Sequence, residues 1–316
     1  MENNFIMSSS PHVHTNVTVK GIMLDVIIAL LPSCIVGVYF FGIYSALVIA
    51  VAIAAAVISE AVFNKIAKKK STVGDLSAVV TGMLLGMNMP PSIPLWMVTI
   101  GSAFAIILVK QMYGGIGKNF VNPALAARCF MLIAWTGAMT TFKEPLVDAV
   151  SSATPLAVMK LGDGQIPSLM QCFIGQKAGT IGEVSGIALV VGFVYLLIRK
   201  VITAKIPLTY ILSFAILTFF FGNKQMDINY TMYQVLTGGL LLGAFFMATD
   251  YTTTPKTPNG MLIFAIGCGV LTFLIRQFGG YPEGVSFSIL IMNLTVPLIE
   301  KCTVPKSFGN IGGGNR

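Results

Sequence analysis

The residues of greatest chemical interest in this 316-residue chain are Asp148, Ser151, Ser152, Ala153 and Thr154, which together read D-x-x-S-x-A-T. A threonine hydroxyl is not redox-active. The chemistry open to Thr154 is that of an anchor: a phosphoester on its oxygen would hold a phosphate-bearing group permanently, with no binding affinity needed to retain it. The pattern arises by chance in roughly one chain of this size per hundred. A compatible reading is a serine-rich helix start, with Ser151 or Ser152 as N-cap ahead of Thr154-Pro155-Leu156.

Five carboxylates, Asp25, Glu60, Asp75, Asp250 and Glu283, lie in or at the ends of apolar runs. A carboxylate inside a membrane is costly and is a functional candidate by default. One at an interface equally serves as an exposed or capping group, and Asp75 is placed to cap a helix. Asp250, Asp75 and Glu283 are the candidates for an ion pathway, Asp250 foremost. It could coordinate sodium or a proton, or support a cofactor hydrogen bond. The glycines of Gly114-Gly115-Ile116-Gly117 lack a preceding strand and a Lys-Ser/Thr ending, so they read as a tight turn and not a phosphate loop. Asn119 and Asn122 just beyond it are candidate contacts to a cofactor or an ion. Five scattered cysteines form no C-x-x-C pair, and His12 and His14 have no nearby carboxylate or cysteine, so no metal site is expected.

The elements that must position these residues are membrane helices. The chain is 55% hydrophobic and 10% charged, with a mean hydropathy of +0.82, whereas a soluble domain carries about 25% charged residues. The net charge of +8 reads as the Lys/Arg bias of cytoplasmic loops, with no nucleic-acid role. Ten spans are expected, near 22–41, 44–63, 75–91, 93–112, 122–139, 181–198, 206–222, 231–249, 260–278 and 284–300. This gives an N-terminal tail (1–21), a first membrane unit (22–139), a long loop (140–180), a second membrane unit (181–300) and a C-terminal tail (301–316). With the N-terminus in the cytoplasm, 15 of the 20 basic residues fall inside or at inner ends, Arg128 among them, while Arg276 falls outside. Both termini are then cytoplasmic and the Thr154 loop is extracytoplasmic.

The two membrane units share patterns. Thr81-Gly82-Met83-Leu84-Leu85-Gly86 in span three matches Thr237-Gly238-Gly239-Leu240-Leu241-Leu242-Gly243 in span eight, and Lys110-Gln111 parallels Arg276-Gln277 at the ends of spans four and nine. Partners five spans apart point opposite ways across the bilayer, which is the inverted-repeat architecture of many transporters. Spans three and eight end irregularly, at Asn88-Met89-Pro90-Pro91 and at Ala248-Thr249-Asp250. Such interruptions are tolerated where backbone is buried or lines a cavity.

The Asp148-to-Thr154 pattern resembles the site where bacterial flavin transferases attach FMN to a threonine through its phosphate. Further blocks accompany it: Ser9-Ser10-Pro11-His12, Gly114 to Ala124, Phe245 to Tyr251 and Gly279 to Val285. Together they resemble the D-type membrane protein of the Rnf complex and, more distantly, the B-type membrane protein of the sodium-translocating NADH:quinone reductase. The latter has a longer N-terminal extension, whereas the first span here begins near residue 22. Many members carry Gly where this chain has Ser152, another small residue. The resemblance implies covalent FMN on Thr154 at the outer face, within the membrane of a bacterial or archaeal cell. It implies electron transfer between ferredoxin and NAD coupled to Na+ or H+ movement. The implied partners are a cytoplasmic NADH-binding flavoprotein, an iron–sulfur subunit, a second covalent-flavin subunit and two small membrane subunits. The related quinone-reductase protein holds a noncovalent riboflavin, carried over here as an expectation. A rival of another class is a channel or secondary transporter without redox function.

Overall fold

The computed structural model describes residues 18–145, 151–152, 154–161, 167–280 and 283–304. Asp148 and Ala153 of the D-x-x-S-x-A-T pattern, together with residues 1–17 (His12 and His14 among them) and 305–316, lie outside them. The architecture is all-helical apart from a two-residue hairpin, in which β1 (Phe142–Lys143) pairs antiparallel with β2 (Ser151–Ser152).

The helices are α1 (Val19–Phe41), α2 (Ile43–Ile66), α3 (Ser77–Met87), α4 (Leu95–Gln111), α5 (Pro123–Ala134) and α6 (Thr136–Thr140), then α7 (Pro155–Leu161) and α8 (Leu169–Ile174). There follow α9 (Gly186–Ile198), α10 (Lys205–Phe221), α11 (Ile228–Leu236), α12 (Leu240–Met247), α13 (Pro258–Phe278) and α14 (Val285–Thr303). Among the described residues, α1, α2, α13 and α14 are long and apolar enough to cross a membrane, and α11 with α12 is a bent pair at 62°. Five more apolar helices, α3, α4, α5, α9 and α10, are shorter. The chain is a multi-pass membrane protein.

Local chemistry sets the starts. Asn122 caps α5 with Pro123 at the first helical position, and Thr257 with Pro258 does the same for α13. Apolar residues point outward as well as inward, so the ring of exposed Ile35, Ile58, Ile133, Leu212 and Leu298 suits lipid. Between helices the contacts are close. A Cβ at Gly192 of α9 would lie 2.1 Å from the Ala29 carbonyl of α1, the small-residue packing expected where no hydrophobic effect drives association.

Two departures from regular helix matter for the site. The first is the end of α3, as the sequence suggests. The second falls at residues 237–239, between α11 and α12, in addition to the helix end near 248–250 that the sequence suggests and that α12 reaches at Met247. Gly238 and Gly239 both adopt positive φ, +72° and +69°, and this turn creates the bend. Beyond it the helix runs with wide i→i+5 turns, Ala248 N–H donating to Gly243 at 2.7 Å, until Met247.

The segment 177–185 between α8 and α9 is irregular yet buried throughout. Its backbone is satisfied at long range. Ile181 N–H donates to the Met89 carbonyl at 3.1 Å and Gly182 N–H to the Met87 carbonyl at 2.7 Å. Ser33 Oγ of α1 donates to the Gly182 carbonyl at 2.7 Å. Non-helical backbone buried away from water is tolerated only with such partners.

Candidate functional site

Thr154 is 7% exposed, so it is no open-loop residue. Its hydroxyl accepts the Ala157 N–H at 3.3 Å and its carbonyl accepts the Val158 N–H at 3.0 Å. Thr154 therefore caps α7 itself, because Pro155 occupies the first helical position. The capping role expected of Ser151 or Ser152 is displaced, and their main chain belongs to the hairpin instead.

Thr154 opens into a cavity of about 270 Å³. Leu132, Met139, Phe142 and Phe287 give it apolar and aromatic walls, and Arg128 and Glu283 stand at its polar end. Arg128 pairs with Glu283 and also donates to Asn88 Oδ1 at 3.0 Å and Ser286 Oγ at 2.9 Å. One side chain of α5 thus ties the end of α3 to the start of α14. Glu283, an ion-pathway candidate from sequence, is here the carboxylate partner of a cavity-lining arginine. A flat ring system joined to a phosphate fits such a lining: apolar walls for the ring, a cation for the anionic link, and a hydroxyl as attachment point. Arg128 goes unrecognised in the sequence, where it counts only toward inner-end basic residues. In the structure it lines the Thr154 cavity, because α5 carries it inward from Asn122.

A second cavity, about 100 Å³, lies at the opposite ends of α3 and α5. It gathers Ser77, Thr81, Lys110, Asn119, Asn122 and Asp250. Asn122 Oδ1 accepts the Ala124 and Leu125 N–H groups at 3.0 and 3.3 Å, and Asn119 Nδ2 donates to Thr252 Oγ1 at 3.0 Å. Both asparagines therefore have structural partners as well as cavity faces. The Asp250 carboxylate accepts hydroxyls of Thr252 at 3.0 Å and Thr253 at 3.2 Å. Burial nonetheless raises its pKa above the ordinary carboxylate value, against those hydrogen bonds. From Asn122 to Arg128 the rise along α5 is roughly 9 Å, so the two cavities are near neighbours in depth.

Asp75 lines neither cavity. It accepts Ser77 N–H at 2.8 Å and so sits at the start of α3, the capping place foreseen for it. Glu60 is fully buried, paired with Lys110 at 2.9 Å and bonded by Gln111 Nε2 at 2.8 Å. Lys110 also donates to Ser77 Oγ at 2.6 Å. Asp25 accepts Tyr195 Oη at 2.9 Å and Arg199 Nε at 3.2 Å, joining α1 to α9.

Arg276, assigned by the charge count to an outer end, is buried at the α11–α12 break. It donates to the carbonyls of Gln234 (2.5 Å), Thr237 (3.1 Å), Gly238 (3.0 Å) and Glu283 (2.8 Å). The orphan carbonyls of a broken helix explain its place. Lys177 joins them through the Leu236 carbonyl, and burial pushes its pKa below 10.5.

A membrane protein with broken helices, a hydroxyl-bearing cavity and buried ion pairs is thus defined. Residues 6–309 match the NQR2, RnfD, RnfE family, and the chain belongs to that family. It is 47% identical over 312 residues to the D component of a Na(+)-translocating ferredoxin:NAD(+) oxidoreductase complex from Acetobacterium woodii, covering 98% of this chain and 96% of the relative. It is 45% identical to the D component of a proton-translocating ferredoxin:NAD(+) oxidoreductase complex from Clostridium ljungdahlii, covering 98% and 97%. It is 37% identical to the D component of an ion-translocating oxidoreductase complex from Pectobacterium atrosepticum, covering 97% and 99%.

Proposed function

We propose that this chain is the D-type membrane component of an ion-translocating ferredoxin:NAD oxidoreductase, carrying FMN through a phosphoester on Thr154. The observation that carries the reading is Thr154 itself: a buried hydroxyl opening into a part-apolar cavity with Arg128 at hand. FMN, when attached, supplies the one- and two-electron chemistry. The chain's own residues do the rest. Thr154 anchors, the aromatic walls exclude water, and Arg128 offers positive charge while Glu283 and Ser286 hold its guanidinium in place. Asn119 and Asn122 border the other cavity, where a noncovalent riboflavin would have polar contacts and a short path to the Thr154 cavity.

The ten apolar elements are two inverted repeats of five, α1–α5 and α9–α14, with α11 and α12 together as one broken span. Support comes from packing: α1 lies on α9 and α5 on α14, the like-with-like contacts of a pseudo-two-fold axis. Support also comes from Lys110 and Arg276, each bringing a buried cation to the third element of its own half. The termini face the cytoplasm and the 140–180 loop lies outside, in a bacterial or archaeal cell membrane. The partners are the NADH-binding flavoprotein, the iron–sulfur subunit, the second covalent-flavin subunit and two small membrane subunits.

The test is a denaturing gel of protein from its native host under ultraviolet light, with intact mass and a Thr154→Ala control. A fluorescent band of FMN-sized added mass that vanishes in the variant is the expected result. A dark, unmodified wild-type chain would put the non-redox transporter reading ahead.

A further inference from the structure

The 177–185 segment holds two buried side-chain oxygens with unspent hydrogen-bonding capacity. Thr180 is 1% exposed and Glu183 4%. Among the described residues, neither Thr180 Oγ1 nor Glu183 Oε2 has a hydrogen-bond partner. Buried polar groups are nearly always partnered by protein, water or an ion, so a pair of open oxygens three residues apart calls for an occupant.

Their place in the fold singles them out. The backbone of this segment pairs with Met87 and Met89, at the end of α3. The Glu183 side chain lies against the other break: a Cβ at Gly239 would stand 2.9 Å from Oε2, and one at Gly179 would stand 2.6 Å from Oε1. Glu183 therefore sits where the interrupted helices of both halves meet. Broken helices at the meeting of two halves are where membrane proteins of this architecture hold ions. Four charged groups act on Glu183: Lys177 from its own segment, Arg128 from α5, Arg276 from α13 and Glu283 at the start of α14. Lys177 donates to the Leu236 carbonyl, and Arg128 donates to Asn88, Ser286 and Glu283. Neither closes Oε2. The set that remains is hard oxygen, suited to a small hard cation and to no soft metal.

We propose that Thr180 and Glu183 bind the transported monovalent cation, sodium or a proton, between the two helix breaks. The proposal rests on the reading of the chain as part of an ion-translocating complex. Lys177 supplies the counter-charge when no cation is bound.

The experiment uses the whole complex in proteoliposomes, driven by reduced ferredoxin and NAD, with sodium uptake and internal acidification followed against NADH formed. Glu183→Gln keeps the size and removes the charge. It is expected to lower ions moved per electron about tenfold, with the fluorescent Thr154 band and assembly unchanged, while Glu183→Asp retains part of the coupling. Thr180→Val separates the two cations. It raises the sodium concentration for half-maximal rate severalfold if sodium is carried, and leaves proton transport intact if a proton is. An unchanged ion-to-electron ratio in Glu183→Gln overturns the proposal. A second measurement covers failure of that variant to assemble. A hydrophobic carbodiimide applied to the wild-type complex should label Glu183, with protection by sodium or by raised pH. No label on Glu183 under any of these conditions also overturns it. A dark Thr154 band in the wild type refutes the flavin reading and is scored separately.

Discussion

Arg128 shows how one residue acquires several duties. Its guanidinium serves the cavity that Thr154 enters, the end of α3 and the start of α14. Arg128→Leu removes the cation and leaves Glu283 without it, so a loss of about 3–5 kcal/mol in stability is expected from the broken pair, read by thermal unfolding of the purified complex in detergent. Arg128→Lys should keep charge but lose the fork that reaches Asn88 and Ser286 together, giving a milder loss in the same assay. Lys177 gives a pH signature. Its folded pKa lies below the ordinary 10.5 because it is buried, so between those two values the unfolded chain binds more protons and stability rises with pH. Lys177→Met should flatten that alkaline slope in melting curves. Of these residues only Thr154 is legible in the sequence, through a pattern of neighbours. Arg128 counts there only toward the inner-end basic residues, and Glu183 is not among the carboxylates the sequence singles out. Their significance comes from partners as far as 158 residues away, or from a buried segment that the sequence divides between the long loop and the start of the span expected at 181–198, where the helix in fact begins only at Gly186.

Among the elements, the α11–α12 turn is the most demanding. Gly239 sits at φ +69°, with Glu183 Oε2 2.9 Å from where a Cβ would be. Gly239→Ala should cost about 1–3 kcal/mol through backbone strain alone, with a lowered melting temperature as the readout and Gly280→Ala, which has open space, as the neutral control. The buried Glu60–Lys110 pair offers a contrast. Replacing Glu60 alone with Gln strands Lys110 and should destabilise by about 3–5 kcal/mol, while Glu60→Met with Lys110→Met should recover much of it. Long apolar runs make α1, α2, α13 and α14 readable to within a few residues. The end of α12 near 248–250 is legible in the sequence, whereas the bend at 237–239 is not, because Gly238-Gly239 reads as small-residue packing within an apolar run and only the fold shows both at positive φ. The matched Thr-Gly block marks the place; its extra glycine is what makes the turn.

For the whole molecule, orientation is the frame on which the flavin and ion proposals hang. Single cysteines at Lys68 and Lys143 should be labelled from opposite sides of intact cells, Lys68 from the cytoplasm and Lys143 from outside; the reverse would invert the topology. The matched blocks are legible because spacing survives divergence, whereas the way the two parts of the chain lock together is not. That lock is the buried 177–185 segment, which binds Ser33 of α1 and the end of α3 through Gly182 and Ile181. Transporters that alternate access by rocking one bundle against the other need an interface that slides. Here a rocking stroke would have to break the buried hydrogen bonds of Ile181 and Gly182, which is costly where no water replaces them. The two parts are keyed like a clasped buckle, so the expected route for an ion is side-chain rearrangement within a fixed frame, with a constant distance between spin labels placed at the two cavities as the readout.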